Sequence, residues 1–251
     1  MEKNKGDDNM RDYAKELEKR VEFIRALLEE SHADGIVFGN SGGKDSALVG
    51  ILCKKACDNT VGILMPCHSK RNFGIDLDDG RELAESFGIE SRMFDLTPCR
   101  NAVIDMLSGE TQLTESALAN IAPRLRMTTL YAIGAAENRL VAGTGNKSEI
   151  YMGYFTKWGD GANDFNPIAD LTVTEVYEFL EYLGAPRAII EKAPSAGLFE
   201  GQTDEQEMGV TYAAVDKYIE SGEATPHDRE IIERYHARSE HKRNMPKFYS
   251  E

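Results

Sequence analysis

The segment Ser41-Gly42-Gly43-Lys44-Asp45-Ser46 has the residue types that bind a phosphate group. Its glycines allow the backbone to turn sharply and to approach a ligand without a Cβ clash. The amide N–H groups of such a turn point at the ligand, and a following helix adds the positive end of its dipole. Ser41 and Ser46 can donate hydroxyls to phosphate oxygens, and Asp45 can hold Mg²⁺. The alternative is a glycine turn with a helix-capping serine, which the length of the pattern disfavours.

A second carboxylate follows another glycine turn, in the segment Gly143-Thr144-Gly145-Asn146-Lys147-Ser148-Glu149. Glu149 falls in the first turn of a predicted helix, so its carboxylate can face the same opening as Asp45. Two carboxylates and the oxygens of a triphosphate fit the ligand preference of Mg²⁺. Glu149 could instead be an acid that only complements the dipole of its own helix.

Short apolar runs alternate with helical segments up to residue 143. Strands are predicted over 35–39, 60–65, 91–96 and 140–143, and helices over 12–30, 45–56, 78–87, 97–107 and 115–138, with Pro123 near a break or a helix start. This alternation is typical of βαβ units and predicts a Rossmann-like, doubly wound α/β fold, a parallel sheet with helices on both faces. Ligands bind such sheets at the carboxyl ends of the strands, where both glycine turns fall.

The regular alternation stops beyond residue 143. A long loop is predicted over 157–167, helices over 174–183, 186–191, 212–219 and 227–239, and a mobile loop over 197–207 that could close over a ligand. The sequence contains no internal repeat and no linker. We therefore expect a single domain over residues 1–251, with a C-terminal helical elaboration from about residue 150.

The formal net charge of −14 bears on the partners of the protein. A body this acidic repels a polyanion, so extended contact with nucleic acid is not expected. A small phosphorylated ligand is compatible with this charge, because backbone amides, a few cations and Mg²⁺ can bind it locally. No apolar run is long enough to cross a bilayer and the first ten residues are polar, so we expect a cytoplasmic protein without a membrane partner.

Four cysteines are present: Cys53, Cys57, Cys67 and Cys99. A zinc site is conceivable, since His68 follows Cys67, but no Cys-x-x-Cys pair occurs. Reduced cysteines that pack in the interior are the favoured interpretation.

The segment 41–46 is neither a Walker A loop nor a dinucleotide fingerprint. It resembles the SGGxDS loop of the ATP pyrophosphatases, which cleave ATP between the α- and β-phosphates and transfer AMP. Further segments resemble the NAD synthetase family in the same order: 120–127, 143–149, 153–167, 193–196, 204–205 and 240–243. The resemblance covers residues 35–247. It implies an adenine nucleotide alpha hydrolase-like fold and an ATP-dependent amidation of deamido-NAD by ammonia, through an adenylate.

The same resemblance implies roles for individual residues. ATP would be bound by Gly39, Asn40, Ser41, Gly42, Gly43, Lys44, Asp45, Ser46, Thr144 and Ser195, Mg²⁺ by Asp45 and Glu149, and deamido-NAD by Arg124, Lys157, Asp164, His241 and Lys242. No side chain would act as a nucleophile. Family members are generally homodimers, and the glutamine-dependent ones carry a glutaminase domain for which 251 residues leave no room. Free ammonia or a separate glutaminase subunit is therefore expected.

Two positions depart from the family pattern. Val173 stands where family members carry a lysine that reaches ATP, so either Lys44 or Lys192 replaces that lysine or the nucleotide binds more weakly. Ser195 stands where the family generally has threonine, and either hydroxyl can contact ATP.

Two other functions share the loop at residues 41–46. One is another adenylating ligase of the pyrophosphate-loop group, including enzymes that modify tRNA; the acidity argues against RNA and segment 154–167 against other small-molecule ligases. The other is a non-catalytic nucleotide-binding regulator of the same fold. Retention of both Asp45 and Glu149 argues against a pure binder.

Overall fold

Parallel strands form one sheet in the computed structural model, which describes residues 11–192 and 203–249. The strands are β1 (Gly35–Gly39), β2 (Thr60–Leu64), β3 (Glu90–Met93) and β4 (Arg139–Ala142). The helices are α1 (Tyr13–Ser31), α2 (Lys44–Ala56), α3 (Lys70–Phe73), α4 (Ile75–Phe87), α5 (Thr97–Ser108), α6 (Glu115–Glu137), α7 (Lys147–Met152), α8 (Val173–Leu183), α9 (Arg187–Ile190), α10 (Asp204–Met208), α11 (Tyr212–Ser221), α12 (Pro226–Arg238) and α13 (Glu240–Arg243).

The strand order is β3-β2-β1-β4, so β1 lies inside the sheet. Val37 of β1 is opposite Val61 of β2 and Val141 of β4. Helices normally cover both faces of a parallel sheet, and this explains why the run Gly35–Gly39 is apolar without alternation.

Each face of β1 has its own core, because successive side chains of a strand point to opposite faces. Ile36 and Phe38 pack into a buried cluster with residues of α1, α2 and α8. Val37 points the other way, into a second cluster that includes the buried Ala122 of α6. Helices therefore cover both faces of the parallel sheet, which confirms the predicted doubly wound α/β fold.

The prediction of a break or a helix start at Pro123 is wrong, since α6 continues through it. A proline inside a helix removes one backbone hydrogen bond. Pro123 is buried, and its ring packs so closely on Gly159 that a Cβ built on that glycine would lie 3.1 Å away. The proline ring is therefore part of the packing between α6 and the segment that contains Gly159.

The predicted mobile loop at 197–207 is partly helical. Residues 204–208 form α10, which begins with a capping box between Thr203 and Gln206. Residues 197–202 lie outside the described part of the chain. The short helices α3 and α13 were not predicted either, because four residues are too few to show a helical period, whereas α7 begins where the sequence predicts the helix that contains Glu149.

The helices after β4 are joined by a third apolar cluster and by Asp216. The cluster contains Met152, Val173, Tyr212 and Ile232. The buried Asp216 of α11 accepts hydrogen bonds from Ser148 Oγ of α7 and from Thr174 of α8, where N lies at 2.9 Å and Oγ1 at 2.7 Å. One carboxylate therefore fixes α7 and α8 relative to α11.

Cys53 and Cys67 are buried within the two clusters that cover the sheet, and Cys57 packs at the edge of the first. Cys99 is exposed. Among the helices of residues 11–192 and 203–249, none combines the length and the apolar character that crossing a membrane requires.

Candidate active site

The loops that follow β1 and β4 lie side by side at the carboxyl ends of these strands. The strand order reverses between β1 and β4, which is the position where doubly wound sheets bind ligands. A cavity of about 1460 Å³ opens there, lined by both loops and by side chains of α6 and α12. Pockets for one drug-sized ligand measure roughly 300–1,000 Å³, so this cavity has room for a nucleotide and a second substrate.

The loop after β1 is shaped by two glycines and two serines. Gly42 has a φ of 70°, and a Cβ at this position would lie 2.1 Å from the carbonyl oxygen of Asp76 on α4. Gly43 is the N-cap of α2 and provides no side-chain cap. Ser46 Oγ donates to Gly43 O at 2.9 Å and lies 3.1 Å from Ser41 Oγ. The first N–H groups of α2 therefore remain available to an anion.

Asn146 fixes the two carboxylates relative to each other. It is the N-cap of α7, where its Oδ1 accepts from Glu149 N at 2.9 Å and its backbone N–H donates to Glu149 Oε2 at 3.2 Å. Its Nδ2 also donates to Asp45 Oδ1 at 2.9 Å. The carboxylates belong to the first turns of α2 and α7, and this one side chain holds them together.

The ammonium of Lys44 lies between the same carboxylates. Its Nζ is 2.7 Å from Asp45 Oδ2 and 3.9 Å from Glu149 Oε1, and its side chain is only 6% exposed. The rings of Tyr212 and Tyr177 lie at 5.7 Å and 6.0 Å from Nζ. Burial alone would lower the pKa of Lys44, but the two carboxylates outweigh it and leave this pKa raised.

The pKa of Glu149 is shifted for a related reason. Burial and the neighbouring Asp45 raise its pKa well above the ordinary value, and Lys44 only partly offsets this. Two buried acids at close range favour the binding of a positive charge beside them.

Lys192 fastens the loop to α4. Its Nζ donates to Gly42 O at 3.2 Å, to Asp76 Oδ1 at 2.7 Å and to Asp79 Oδ2 at 2.6 Å. All three side chains of this cluster are at most 15% exposed. The position of the loop at residues 41–46 therefore depends on an ion-pair cluster outside it.

The oxygens of Asp45 and Glu149 suit Mg²⁺. Both face one point, where the ammonium of Lys44 lies. Mg²⁺ is commonly held by one or two carboxylates, with substrate phosphates and water completing its shell. Across the described ranges 11–192 and 203–249, no group of three or more His, Cys, Asp or Glu could hold a metal ion. Phosphate oxygens would have to complete the shell here.

Most residues that the sequence predicts to bind ATP line the cavity: Gly39, Asn40, Ser41, Gly43, Lys44, Asp45, Ser46 and Thr144. Asn40 is buried, and its Nδ2 donates to Gly80 O at 2.8 Å, so it positions the loop. Gly42 lies behind the wall, against α4. Ser195 falls in the part of the chain that is not described.

The residues predicted to bind deamido-NAD are more scattered. Lys242 lines the cavity, and its Nζ donates to the carbonyls of Gly153 at 2.8 Å and Phe155 at 2.7 Å. Arg124 is exposed on α6. Arg124, Lys157, Asp164 and His241 are not part of the cavity wall.

Asp164 and Lys157 make contacts within the chain instead. Asp164 Oδ2 accepts from Val141 N at 2.8 Å and its Oδ1 accepts from Tyr131 Oη at 3.2 Å, so this carboxylate supports the end of β4. Lys157 Nζ donates to the backbone carbonyls of His241 and Asn244 and holds the C-terminal segment in place.

Two residues of the site were not assigned a role from the sequence. Asn146 could have been recognised, because Asn-x-x-Glu at a helix start is a capping-box pattern. Arg126 lines the cavity and donates to Met65 O and to Asn72 Oδ1, both at 3.2 Å. These partners are more than fifty residues away, so no local pattern reveals the role of Arg126.

The chain is similar in sequence and in structure to known proteins. The family model described as NAD synthase matches residues 16–251. The NH(3)-dependent NAD(+) synthetase of Carboxydothermus hydrogenoformans is 46% identical over 237 residues, covering 93% of this chain and 96% of the relative. The structure of NMN synthetase from Francisella tularensis has a TM-score of 0.90 at 37% identity, covering 95% and 99% of the two chains. The NH3-dependent NAD synthetase from Campylobacter jejuni has a TM-score of 0.79 at 32% identity, covering 96% and 100%.

Proposed function

The chain belongs to the NAD synthase family, and on this premise we propose that it amidates deamido-NAD to NAD with ATP and ammonia, the final step of NAD biosynthesis. It is a ligase that forms a C–N bond. The observation that carries the proposal is the convergence of Asp45 and Glu149 on one point beside the phosphate loop at 41–46.

The reaction has two steps. A carboxylate oxygen of deamido-NAD attacks the α-phosphorus of ATP, and the bond to the β-phosphate oxygen breaks, which releases pyrophosphate. The nitrogen of ammonia then attacks the carbonyl carbon of the acyl-adenylate, loses a proton, and expels AMP to leave the amide. Neither step needs a nucleophilic side chain, so the contribution of the protein is positioning and electrostatic stabilisation.

The residues of the loop have distinct tasks in this reaction. The N–H groups at the start of α2 and the hydroxyls of Ser41 and Ser46 would bind the phosphates as negative charge moves to pyrophosphate. Mg²⁺, when bound, supplies further positive charge at these oxygens, and Asp45 and Glu149 would hold it. Thr144 would contact ATP from the loop after β4.

The remaining binding residues lead to a proposal about assembly. Arg124, Lys157, Asp164 and His241 lie away from the cavity of one chain. Helix α5 buries none of its residues, and Met106 is 69% exposed. We propose a cytoplasmic homodimer in which a second copy covers α5 and α6. The second copy would bring residues of the set that contains Arg124 toward deamido-NAD. A monomeric mass by light scattering at micromolar concentration would contradict the dimer.

A second candidate substrate is nicotinate mononucleotide, the product being NMN. The high TM-score to an NMN synthetase favours it. The carboxylate and the chemistry are the same, and the substrates differ only in the adenylyl half that the mononucleotide lacks. This alternative keeps the pyrophosphate loop and both carboxylates in the same roles.

The test compares both substrates with one purified enzyme. The protein is mixed with ATP, Mg²⁺ and ammonium chloride, and kcat/KM is measured for deamido-NAD and for nicotinate mononucleotide by chromatography of the products. A higher kcat/KM for deamido-NAD, and no NAD without ammonium, are the expected results. A preference for the mononucleotide would replace the substrate but keep the reaction class.

A further inference from the structure

The ammonium of Lys44 occupies the place where a metal ion would be held. We propose that Lys44 is an exchangeable counter-ion: without nucleotide it is shared by Asp45 and Glu149, and it moves to the phosphates when the metal–nucleotide complex binds. The proposal rests on the function proposed above for the assignment of the cavity to ATP. In this proposal Lys44 competes with the metal ion for the two carboxylates. A lysine that only bound phosphate would not compete with the metal.

The contacts of Lys44 show why its position is particular. The side chain is 6% exposed, yet it lies on the cavity wall. Its ion pairs are with the same two carboxylate groups that face a common point from α2 and α7. A cation held there stabilises the ionised acids and blocks any second cation from the same oxygens.

Lys192, the second lysine of the site, cannot act as an exchangeable counter-ion of Asp45 and Glu149. The ammonium of Lys192 has three oxygen partners, from Gly42, Asp76 and Asp79. An ammonium has three donors, so these contacts use all of them. Lys44, by contrast, has one close partner at 2.7 Å and a longer one at 3.9 Å, and can change partners at lower cost.

The surroundings of Lys44 also show a second position from which a lysine could place its ammonium beside Asp45 and Glu149. Val173 is the first residue of α8, is 4% exposed, and packs in the cluster that contains Tyr212 and Tyr177. These are the rings beside the Lys44 ammonium. Tyr177 lies one helical turn after Val173 on the same face. A lysine at position 173 would therefore direct its ammonium toward Asp45 and Glu149.

The test is a double-mutant cycle of K44Q, V173K and K44Q/V173K, with K54Q as the matched control. Lys54 lies on the same helix, and its partner is the fully exposed Asp58, which follows the end of that helix. Two binding constants are measured for each protein. One is for Mn²⁺ alone, an oxygen-binding stand-in for Mg²⁺, by paramagnetic resonance of the free ion. The other is for a non-hydrolysable ATP analogue with Mg²⁺, by calorimetry.

In K44Q the affinities for Mn²⁺ and for the nucleotide analogue should change in opposite directions. Removal of the competing ammonium should tighten the binding of Mn²⁺ about tenfold. Loss of one charge-assisted contact to the phosphates should weaken the binding of the nucleotide analogue about tenfold. V173K adds a second ammonium and should weaken Mn²⁺ about tenfold. The double variant should return both constants to within about threefold of wild type, and K54Q should leave both unchanged.

Unchanged or weaker Mn²⁺ binding in K44Q would overturn the proposal. If K44Q does not fold, V173K decides, and unchanged Mn²⁺ binding in V173K then overturns it. Both constants are measured without turnover. A wild-type protein that makes neither NAD nor NMN would therefore refute the proposed function alone.

Discussion

The side-chain amide of Asn146 donates to Asp45 Oδ1 at 2.9 Å and so joins the loop after β4 to the first turn of α2. The same asparagine caps α7 and holds Glu149. The geometry of the two carboxylates therefore depends on a residue that is neutral and need not touch either substrate.

Replacing Asn146 separates its two tasks. N146A should destabilise the protein by about 1 kcal/mol through loss of the cap. N146S keeps a good N-cap, but its hydroxyl is too short to reach Asp45. We expect N146S to unfold in urea like the wild type and yet to lose about tenfold in kcat, because a lost positioning contact of about 1.4 kcal/mol has that effect. Equal kcat in N146S and wild type would show that the bridge to Asp45 is not needed.

The cluster of Lys192 with Asp76 and Asp79 should be a major source of stability for the loop. K192M leaves two carboxylates close together with no ammonium between them, and breaking such a largely buried cluster costs about 3 kcal/mol. K217M is the control, because Lys217 and Glu223 form an exposed pair worth about 0.5 kcal/mol. Urea denaturation measures both, and equal effects of the two substitutions would contradict a structural role for Lys192.

Gly42 and Gly184 provide a matched pair of substitutions. Both have positive φ, 70° and 69°, but a Cβ at Gly42 meets Asp76 O at 2.1 Å whereas nothing lies within 4 Å at Gly184. G184A should cost about 1 kcal/mol from backbone strain alone. G42A has this strain and must also shift the loop, so it should lose nucleotide binding as well. Calorimetry with an ATP analogue would contradict the interpretation if G42A bound as tightly as G184A.

The contact between Arg20 and Asp170 predicts a pH dependence. Burial raises the pKa of Asp170, but the hydrogen bonds and charge of Arg20, with Arg11, outweigh it and lower this pKa from 3.8. A lowered folded-state pKa stabilises the protein above pH 3.8, and this stabilisation is lost as the pH falls through the folded pKa.

D170N tests this dependence. Asp170 is half exposed, so the variant should be less stable by only about 1 kcal/mol at pH 7. The difference from wild type should shrink as the pH falls below about 4. A difference that stays constant from pH 7 to pH 3 would exclude the ionised carboxylate as its cause.

The sequence allowed the prediction of the sheet and of the glycine turn at residues 41–46 because both depend on local patterns. The apolar run at 35–39 and the glycines after it are visible without any tertiary contact. Pro123 was misjudged because its effect on α6 depends on packing against Gly159, which is thirty-six residues away in the chain. The roles of Lys192 and Arg126 depend on partners from distant elements. Such contacts leave no periodic signal.

The same distinction applies within the site. Asp45 and Glu149 were predicted to meet because each follows a glycine turn after a strand. The contact of Lys44 with both acids could not be predicted, because the loop pattern does not fix the direction of that side chain. The structure also leaves Arg124 and Asp164 away from the cavity of a single chain, which no pattern within the chain could indicate.

The most direct measurement is to follow ¹⁸O from the substrate carboxylate. Deamido-NAD labelled with ¹⁸O in its nicotinate carboxylate is incubated with the enzyme, ATP, Mg²⁺ and ammonium, and the AMP and pyrophosphate are analysed by mass spectrometry. Attack of that carboxylate on the α-phosphorus predicts one ¹⁸O atom in AMP for each NAD formed, and none in pyrophosphate. Label in pyrophosphate or in inorganic phosphate, or unlabelled AMP with NAD formed, would contradict the adenylate chemistry assigned to this site.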